Sequence, residues 1–582
     1  MKTLSLVGVA CFSALSFAQA KHTFAFGGPN NSEFLLDGKP FQIRSGEIDP
    51  GRIPAEYWRH RIQMAKAMGL NTIAPYIFWN DHEQTEGKFD FKSGSRNIGR
   101  FIDICREEGM WVLLRPGPYV CGEWDGGGLP WFLWKDPKLK IRSNDDPKYM
   151  DAVAKYLHEL AKVVKPRMID RGGPIVMVQI ENEYGSYPRH DRTHMAWLEA
   201  TWKKEGVNGP FSTSDGPAEY NLKDSSLPGA AVGLDSGLSE ADWTLARRIN
   251  PGVPVFSGET YPGWLRHWGE KNWEPSNVSK ELKFYMDTKK SFNLYLVHGG
   301  TNFGFTTGAN SGGKGFEPDL TSYDYGCPIN EQGNPTKEYF EYRNLIASYL
   351  PSELVPAVPK PIPATEIPAI DMMPISDIWH VLARKQTSVE PKTFAELGQN
   401  QGLVVYETKI KRGDISSLSF DKVCDYGLVF VNRRYVGSLD RRLGQKEMEL
   451  PASDLDQTLD IVVEGMGRIN FSAAMETDRK GIFSPKLNGQ PLTDWTMYPI
   501  PLDSRMIDRL GSTRGTTSGK GQFFRGTFEL PSTADTYLDM RDYGKGAVWV
   551  NGHNLGRYWN IGPQFRLFCP GVWLKKGRNT IT

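Results

Sequence analysis

Two groups of carboxylates are the residues in this sequence whose type and position most clearly indicate a chemical function. Glu181-Asn182-Glu183 follows the apolar run 176–180, and Glu259 follows a second apolar run at 254–257. Hydrolysis of a glycosidic bond needs two such groups, because one carboxylic acid protonates the leaving oxygen while a carboxylate attacks the anomeric carbon from the opposite face. The pattern therefore predicts a glycoside-cleaving site. The alternative for Glu181 and Glu183 is that they cap a following helix.

The elements that must position these groups are repeated βα units. Apolar residues at i, i+3, i+4 and i+7 predict helices, as at Ile98, Phe101, Ile102 and Cys105. Eight strands are predicted between the helical patterns, at residues 41–43, 70–78, 110–114, 175–180, 211–214, 230–234, 254–257 and 293–297. This alternation predicts an α/β protein with a (β/α)8 TIM barrel over residues 21–350, in which chemistry lies at the C-terminal ends of the strands.

The two carboxylate groups then follow the fourth and seventh strands of the barrel. Such strands face each other, so two Glu side chains can meet at about 5–5.5 Å, the spacing of a retaining mechanism, whereas inversion needs about 6.5–9.5 Å. The negative charge of Glu259 is expected to raise the pKa of Glu183, which keeps Glu183 protonated as an acid.

The second half of the chain has a different pattern. Residues 351–370 contain six prolines and predict a stiff linker. Short alternating strands then predict two all-β sandwich modules, at 371–485 and 486–582. Segments 425–437 and 542–556 share Asp-Tyr-Gly, a strand that ends in Val-Asn, and a Gly five residues later. We interpret these two segments as equivalent strand–turn corners in related modules.

Composition excludes several classes of function. The 69 Lys and Arg residues balance 68 Asp and Glu, so no excess charge favours nucleic acid or an anionic membrane. His and Cys residues show no spacing typical of metal ligands, so no metal or other cofactor is expected. No segment of the mature chain approaches the roughly 20 apolar residues of a membrane span.

The N-terminus predicts export. Residues 1–20 have a basic start, an apolar run and the small-residue site Ala18-Gln19-Ala20, which together are typical of a signal peptide. A lipid anchor at Cys11 is the alternative. Five cysteines remain after cleavage, so at least one is unpaired and a disulfide framework is not expected.

Several motifs, in order along the chain, resemble glycoside hydrolase family 35, the exo-β-galactosidases, in a secreted bacterial form. They are Ser45-Gly46-Glu47-Ile48, residues 74–80, 115–124, 179–185, 258–268 and 299–304, Thr321 to Tyr325, and 549–559. The resemblance implies that Glu183 is the acid/base, that Glu259 is the nucleophile, and that Glu181 is structural. It also implies a galactose-binding-like fold for the last module.

The resemblance further implies a set of galactose contacts: Tyr76, Gly122, Glu123, Asn182, Tyr261 and Tyr325. Asn182 suits the 2-hydroxyl, Glu123 suits hydroxyls remote from the scissile bond, and phenols can orient Glu259. Trp79, Trp124, Trp131, Trp264 and Trp268 are candidates for stacking on sugars, although each also fits a buried core.

The sequence departs from the family pattern at three places. Asp49 stands where many members carry His, Gly122 where many carry Ala, and Asp81 and Gln84 flank the His-Glu motif. None of these is a catalytic carboxylate.

Together, these patterns and the resemblance lead us to expect a periplasmic or extracellular enzyme. It would remove terminal β-galactose from oligosaccharides or polysaccharide side chains, with plant hemicellulose fragments as one source. The alternatives are a retaining enzyme for another terminal β-sugar, such as glucosamine, and a non-catalytic sugar-binding protein.

Overall fold

The structure is a computed structural model that describes residues 21–271, 276–312, 315–511 and 519–582. The predicted signal peptide and Cys11 lie outside these residues. A small antiparallel sheet comes first, formed by β1 (Phe24–Gly27), β2 (Glu33–Leu36) and β3 (Lys39–Pro40). Its Phe34 ring lies 6.0 Å from that of Phe256, so this sheet packs on the floor of the domain that follows.

Eight parallel strands close into a barrel, which confirms the predicted TIM-barrel class. They are β4 (Arg44–Ile48), β5 (Thr72–Ala74), β6 (Trp111–Leu114), β7 (Ile175–Gln179), β8 (Phe211–Asp215), β9 (Ala231–Asp235), β10 (Val255–Thr260) and β11 (Phe292–His298). Strand β11 pairs with β4 and completes the circle. The strands are buried almost throughout, as expected for a sheet covered on both faces.

The first predicted strand, at 41–43, is wrong in position. The barrel ladder begins only at Arg44, because the Phe41 amide bonds back to Phe34 in the small sheet and the Ile43 amide bonds to the Ser291 hydroxyl. The apolar side chains of this run pack beneath the barrel. An apolar run alone does not distinguish a barrel strand from such a floor.

Nine helices lie in the described barrel region. They are α1 (Trp58–Ala67), α2 (Trp79–His82), α3 (Ile98–Glu107), α4 (Pro147–Val164), α5 (Arg192–Lys204), α6 (Glu219–Ser225), α7 (Glu240–Ile249), α8 (Ser279–Asp287) and α9 (Lys337–Ala347). Among them, α3 matches the helix predicted from Ile98, Phe101, Ile102 and Cys105. The Asp146 side chain caps α4 by accepting from two backbone amides of its first turn, and Pro147 occupies the first position. None of the helices in the described part of the chain is long and apolar enough to cross a bilayer.

The remaining elements are mainly strands. They are β12 (Ala309–Asn310), β13 (Glu317–Pro318), β14 (Met373–Asp377), β15 (Gln386–Ser388), β16 (Leu403–Ile410), β17 (Ser416–Ser419), β18 (Lys422–Cys424), β19 (Tyr426–Val431), β20 (Arg434–Asp440), β21 (Glu447–Leu450), β22 (Gln457–Glu464), β23 (Gly481–Phe483), β24 (Lys486–Leu487), β25 (Gln490–Pro491), β26 (Trp495–Ile500), α10 (Ser504–Arg509), β27 (Gln522–Leu530), β28 (Thr536–Asp539), β29 (Lys545–Val550), β30 (His553–Trp559), β31 (Arg566–Cys569) and β32 (Gly577–Ile581). The main sheets are antiparallel, as predicted for all-β modules.

Strand pairing groups these elements differently from the predicted spans 371–485 and 486–582. The six-stranded sheet of the middle module has the order β15-β26-β16-β22-β19-β20, so it takes β26 from the later span. The five-stranded sheet of the last module has the order β14-β27-β32-β29-β30, so it takes β14 from the earlier one. The partner of a short strand depends on tertiary contacts that no local pattern records.

The repeated sequence corner is a repeated structure. Hairpins β19–β20 and β29–β30 each carry a register shift at the matching position. Their turns place Asn432 and Asn551 at positive φ, 50° and 49°, a conformation that Asn tolerates better than most residues. The five cysteines of the described chain are buried and free, so packing rather than disulfide bonding holds these modules.

Candidate active site

The predicted site residues lie at or beyond the C-terminal ends of four barrel strands and in the loop after β11. Tyr76 follows β5, Glu123 follows β6, Glu183 follows β7, and Glu259 is the penultimate residue of β10. The Glu183 amide bonds to the Ser214 carbonyl of β8, which fixes the rim at this point. The barrel topology thus brings both carboxylates to one mouth.

Glu259 is held by three donors. Its Oε1 atom accepts from the Tyr76 hydroxyl at 2.8 Å and from the Arg115 guanidinium, and its Oε2 atom accepts from the Tyr261 hydroxyl at 2.9 Å. Glu259 is only 4% exposed. A cation and two phenols directed at one buried carboxylate suit an ionised, oriented nucleophile.

Arg115 is the main functional residue that the sequence did not reveal. Its buried guanidinium also binds Glu47, the Gln179 amide oxygen at 2.9 Å and the Asn182 amide oxygen at 3.0 Å. It therefore connects Glu259 to the strand end that carries Glu183. The only signal was its place at the head of the motif at 115–124, because its carboxylate partners Glu47 and Glu259 lie far away in the sequence.

Glu183 has very different surroundings. The Asn182 side-chain amide lies 3.2 Å from its Oε2 atom, and the nearby charges are carboxylates. Burial raises the pKa of Glu183 well above its usual range, and the charges of Glu259, Asp235 and Asp215 raise it further. The pKa of Glu183 is thus raised, as we expected from the charge of Glu259, but burial raises it more than that charge does. Asp235, at the end of β9, was not anticipated.

Glu181 is separated from Glu183 by its partner. Arg142 donates to both carboxylate oxygens of Glu181, at 2.8 and 2.7 Å, and to the Asn182 carbonyl at 2.7 Å. Both residues of the ion pair are about 1% exposed. The pair is a buried bidentate clamp, which agrees with the structural role implied for Glu181.

Glu123 occupies the far side of the pocket. Its carboxylate accepts from the Tyr323 hydroxyl, and burial raises the pKa of Glu123 to about 7, against the opposing effects of Tyr323 and Arg52. Arg52 binds Asp49 and the Gly122 carbonyl and lies 3.8 Å from the centre of the Tyr323 ring. Asp49, one departure from the family pattern, is thus the buried counter-ion of Arg52.

Gly122 adopts φ of +65°, which favours glycine, although a Cβ there would meet the nearest side chains at an ordinary 3.5 Å. The backbone, and not the available volume, therefore distinguishes Gly from Ala at this position. Asp81, another departure, accepts from Arg96 at 3.0 Å and from the Gln84 side chain at 3.4 Å on the outer rim.

A cavity of about 220 Å³ lies beside these groups. It is lined by residues of the barrel and of the last module, including Glu123, Tyr325, Trp264, Pro563 and Gln564. Trp264 is 51% exposed, whereas Trp79, Trp124, Trp131 and Trp268 are buried. Of the five Trp candidates for sugar stacking, only Trp264 presents an accessible face at the rim.

Three models of known protein families match successive parts of the chain. Residues 33–349 match the profile of glycosyl hydrolases family 35. Residues 391–501 match the first all-β domain of β-galactosidase, and residues 522–579 match its galactose-binding domain.

Curated relatives match over nearly their full length. A β-galactosidase of Xanthomonas manihotis is 38% identical over 550 residues, covering 93% of this chain and 91% of that protein. Mouse β-galactosidase is 35% identical over 591 residues, covering 95% and 90%. Human β-galactosidase-1-like protein 3 is 35% identical over 573 residues, covering 95% and 86%.

Proposed function

Because this chain belongs to glycosyl hydrolase family 35, we propose that it is an exo-acting β-galactosidase that cleaves with retention of configuration. The observation that carries the proposal is the contrast within one pocket. Glu259 is bound by a guanidinium and two phenols, while Glu183 lies among carboxylates that favour its protonated form. These are the two states that double displacement requires.

In the first step, Glu183 gives its proton to the glycosidic oxygen while a carboxylate oxygen of Glu259 attacks the anomeric carbon. The bond to the leaving group breaks, the leaving group departs as an alcohol, and galactose becomes an ester of Glu259. The proton donor must be neutral at the start, and the raised pKa of Glu183 provides this.

In the second step, Glu183 takes a proton from water, which attacks the anomeric carbon and releases β-galactose and the Glu259 carboxylate. Formation of the ester removes the charge of Glu259, so one of the groups that raise the pKa of Glu183 is gone. The same side chain can therefore act as an acid first and as a base second.

The polar groups around the carboxylate pair support recognition of a terminal galactose. A cavity of about 220 Å³ adjoins them. Glu123 and Tyr325 line it, and Asn182 lies beside Glu183. These groups can accept from and donate to the sugar hydroxyls.

The test is the anomer that forms first. Proton NMR during hydrolysis of an aryl β-galactoside should show β-galactose before mutarotation; initial α-galactose would refute retention. Faster hydrolysis of an aryl β-glucosaminide than of the matched galactoside would indicate the alternative sugar. Galactoside binding without turnover would show a sugar-binding protein instead.

We also propose that this is an exported bacterial enzyme acting on galactosyl side chains of plant polysaccharides or on their fragments. The proposal is supported by the signal-peptide pattern at residues 1–20. Release of galactose from a panel of galactosylated oligosaccharides would identify the preferred linkage. Expression with the native N-terminus, followed by fractionation and mass spectrometry of the mature N-terminus, tests export and cleavage.

A further inference from the structure

We propose that residues 465–480 of the middle module, here called the bracing segment, position the active site through two separate contacts. One contact holds the loop that carries Glu123, and the other holds the residues behind Asn182 and Glu183. The inference rests on the proposed galactosidase function. It assigns positioning roles to residues that touch neither substrate nor reacting atoms.

The first contact is between Arg468 and Asp125. The guanidinium donates to one carboxylate oxygen of Asp125 at 2.8 Å, and the Arg468 backbone amide donates to the other at 2.6 Å. Both side chains are 3% exposed. Asp125 is two residues beyond Glu123, so this buried pair fixes the loop from which Glu123 reaches the pocket.

Backbone hydrogen bonds extend this contact across three segments, 123–126, 306–309 and 468–470. The donor and acceptor pairs are Asp125 to Thr306, Gly308 to Glu123, Gly126 to Arg468, Ala309 to Arg468, and Asn470 to Ala309. The Glu123 backbone is therefore tied to the middle module through a network that includes its own carbonyl.

The close approach of the segment depends on Gly467. This residue has φ of +99°, and a Cβ there would lie 2.2 Å from the Thr307 carbonyl oxygen. No other side chain fits without moving the backbone at this junction. The geometry is that of a tight, specific fit between modules.

The second contact acts on the clamp around Glu181. The Arg142 guanidinium lies 3.7 Å from the centre of the Tyr119 ring and 4.3 Å from that of Tyr187. The bracing segment binds both phenols, since Tyr119 donates to the Asn470 carbonyl at 2.7 Å and Tyr187 donates to Glu476 at 2.5 Å. The two rings that flank Arg142 are thus fixed from another module.

Arg142 transmits this support to the acid. It holds Glu181 and the Asn182 carbonyl, while Glu181 and Glu183 both adopt positive φ, 58° and 48°. Such backbone conformations persist only where the surroundings enforce them. Loosening the rings that flank Arg142 is therefore expected to misplace the Glu183 carboxyl.

The bracing segment is itself anchored in its own module. Asp478 accepts from Arg441 at 2.6 Å, from Lys480 at 3.0 Å and from the Ile469 amide at 2.8 Å, and it is 2% exposed. These cations and this amide hold the pKa of Asp478 well below its usual range, against the effect of burial. The segment can therefore impose a position on the barrel loops.

The two contacts predict different kinetic defects. Asp125→Asn should raise KM for an aryl β-galactoside and Ki for galactose by about tenfold, with kcat nearly unchanged, because a loosened Glu123 weakens sugar binding. Tyr187→Phe should lower kcat for an alkyl β-galactoside by about tenfold while sparing an activated aryl substrate, because only the alkyl group needs the acid.

Tyr57→Phe is the matched control. It removes a 2.5 Å hydrogen bond from the barrel to Asp535 of the last module, away from both loops, and should change neither parameter. The proposal is overturned if Asp125→Asn and Tyr187→Phe alter kcat and KM in equal proportion, or if neither differs from Tyr57→Phe. Arg468→Lys, which keeps the charge, replaces Asp125→Asn if that variant does not fold.

Hydrogen exchange separates this proposal from the proposed function. Asp125→Asn should speed amide exchange in residues 123–128, and Tyr187→Phe should speed it in residues 181–190, each without affecting the other loop. This result is independent of turnover. A parent protein inactive on β-galactosides would refute the function alone, whereas uniform or unchanged exchange would refute the bracing roles.

Discussion

The two sides of the active site surround the same functional group, a glutamate carboxyl, with very different neighbours. At the end of β10, Glu259 receives a guanidinium and two phenol hydroxyls. Beyond β7, Glu183 receives one amide contact and lies near the charges of Asp235 and Asp215 as well as that of Glu259. Two glutamates from one barrel rim thus have different partners, and burial together with the neighbouring negative charges favours the protonated form of Glu183.

The pair Glu181 and Glu183 makes the same point over two residues. Glu181 is neutralised by the Arg142 clamp, so its charge is satisfied inside the protein. Glu183 has no such cation among the hydrogen-bond partners that the described residues supply. The Arg142 clamp therefore distinguishes Glu181 from Glu183, although the two lie only two residues apart.

The largest effect is expected from removing the nucleophile. Glu259→Ala should lower kcat by a factor on the order of 10⁵, because the covalent step is lost. Azide should restore part of the activity with an aryl galactoside and yield α-galactosyl azide, identified by NMR. A β-galactosyl azide, or no rescue in a folded variant, would contradict the assignment.

Removing the acid should have a smaller effect that depends on the leaving group. Glu183→Gln should lower kcat/KM for alkyl β-galactosides by roughly 10²–10⁴-fold and much less for dinitrophenyl β-galactoside, which leaves without protonation. A series of aryl leaving groups measures this dependence. Equal losses across the series would mean that Glu183 is not the acid. Azide should give the β-azide here, opposite to the Glu259 variant.

The two phenol hydroxyls that bind Glu259 should contribute differently to kcat, because removing each one leaves its carboxylate oxygen with a different set of donors. Tyr261→Phe removes the phenol from Oε2, whereas Tyr76→Phe leaves Arg115 on Oε1. A hydrogen bond to a charged group contributes about 1.5–3 kcal/mol, so Tyr261→Phe should lower kcat roughly tenfold or more and Tyr76→Phe less. The reverse ranking in kinetics of equally stable variants would show that the oxygens are not distinguished in this way.

The smallest effect is expected from removing a neighbouring charge. The negative charge of Asp235 raises the pKa of Glu183, so Asp235→Asn should lower that pKa. Because kcat/KM falls as Glu183 loses its proton, the alkaline limb should move to lower pH, as measured on an alkyl β-galactoside. An unmoved limb, or one displaced upward, would remove Asp235 from the account.

Much of this architecture was predictable because it is local. Barrel strands such as β7 read as continuous apolar runs since both faces are buried, and α3 shows its buried stripe directly. Glu183 and Glu259 could be singled out because each lies at or just beyond the end of such a strand, and their catalytic roles stay predictions. The motif resemblance supplied the choice between Glu181 and Glu183, which periodicity does not make.

The residues that the sequence did not predict contact partners that lie far away along the chain. Arg115 and Glu259 are 144 residues apart, and Arg468 and Asp125 are 343 residues apart. No periodicity or motif connects such pairs, because their contact exists only once the modules have packed. For the same reason, the strands that pair with β14 and β26 could not be predicted from the sequence.

The pairing of β14 with β27 has a consequence for how such proteins can be rearranged. The chain enters the sheet of the last module, leaves it to build the whole middle module, and then returns. A single recombination point between 378 and 521 would separate β14 from β27, so the region from β14 to β32 should be inherited and transplanted as one unit. Engineers who graft this barrel onto other domains would need to carry that unit entire.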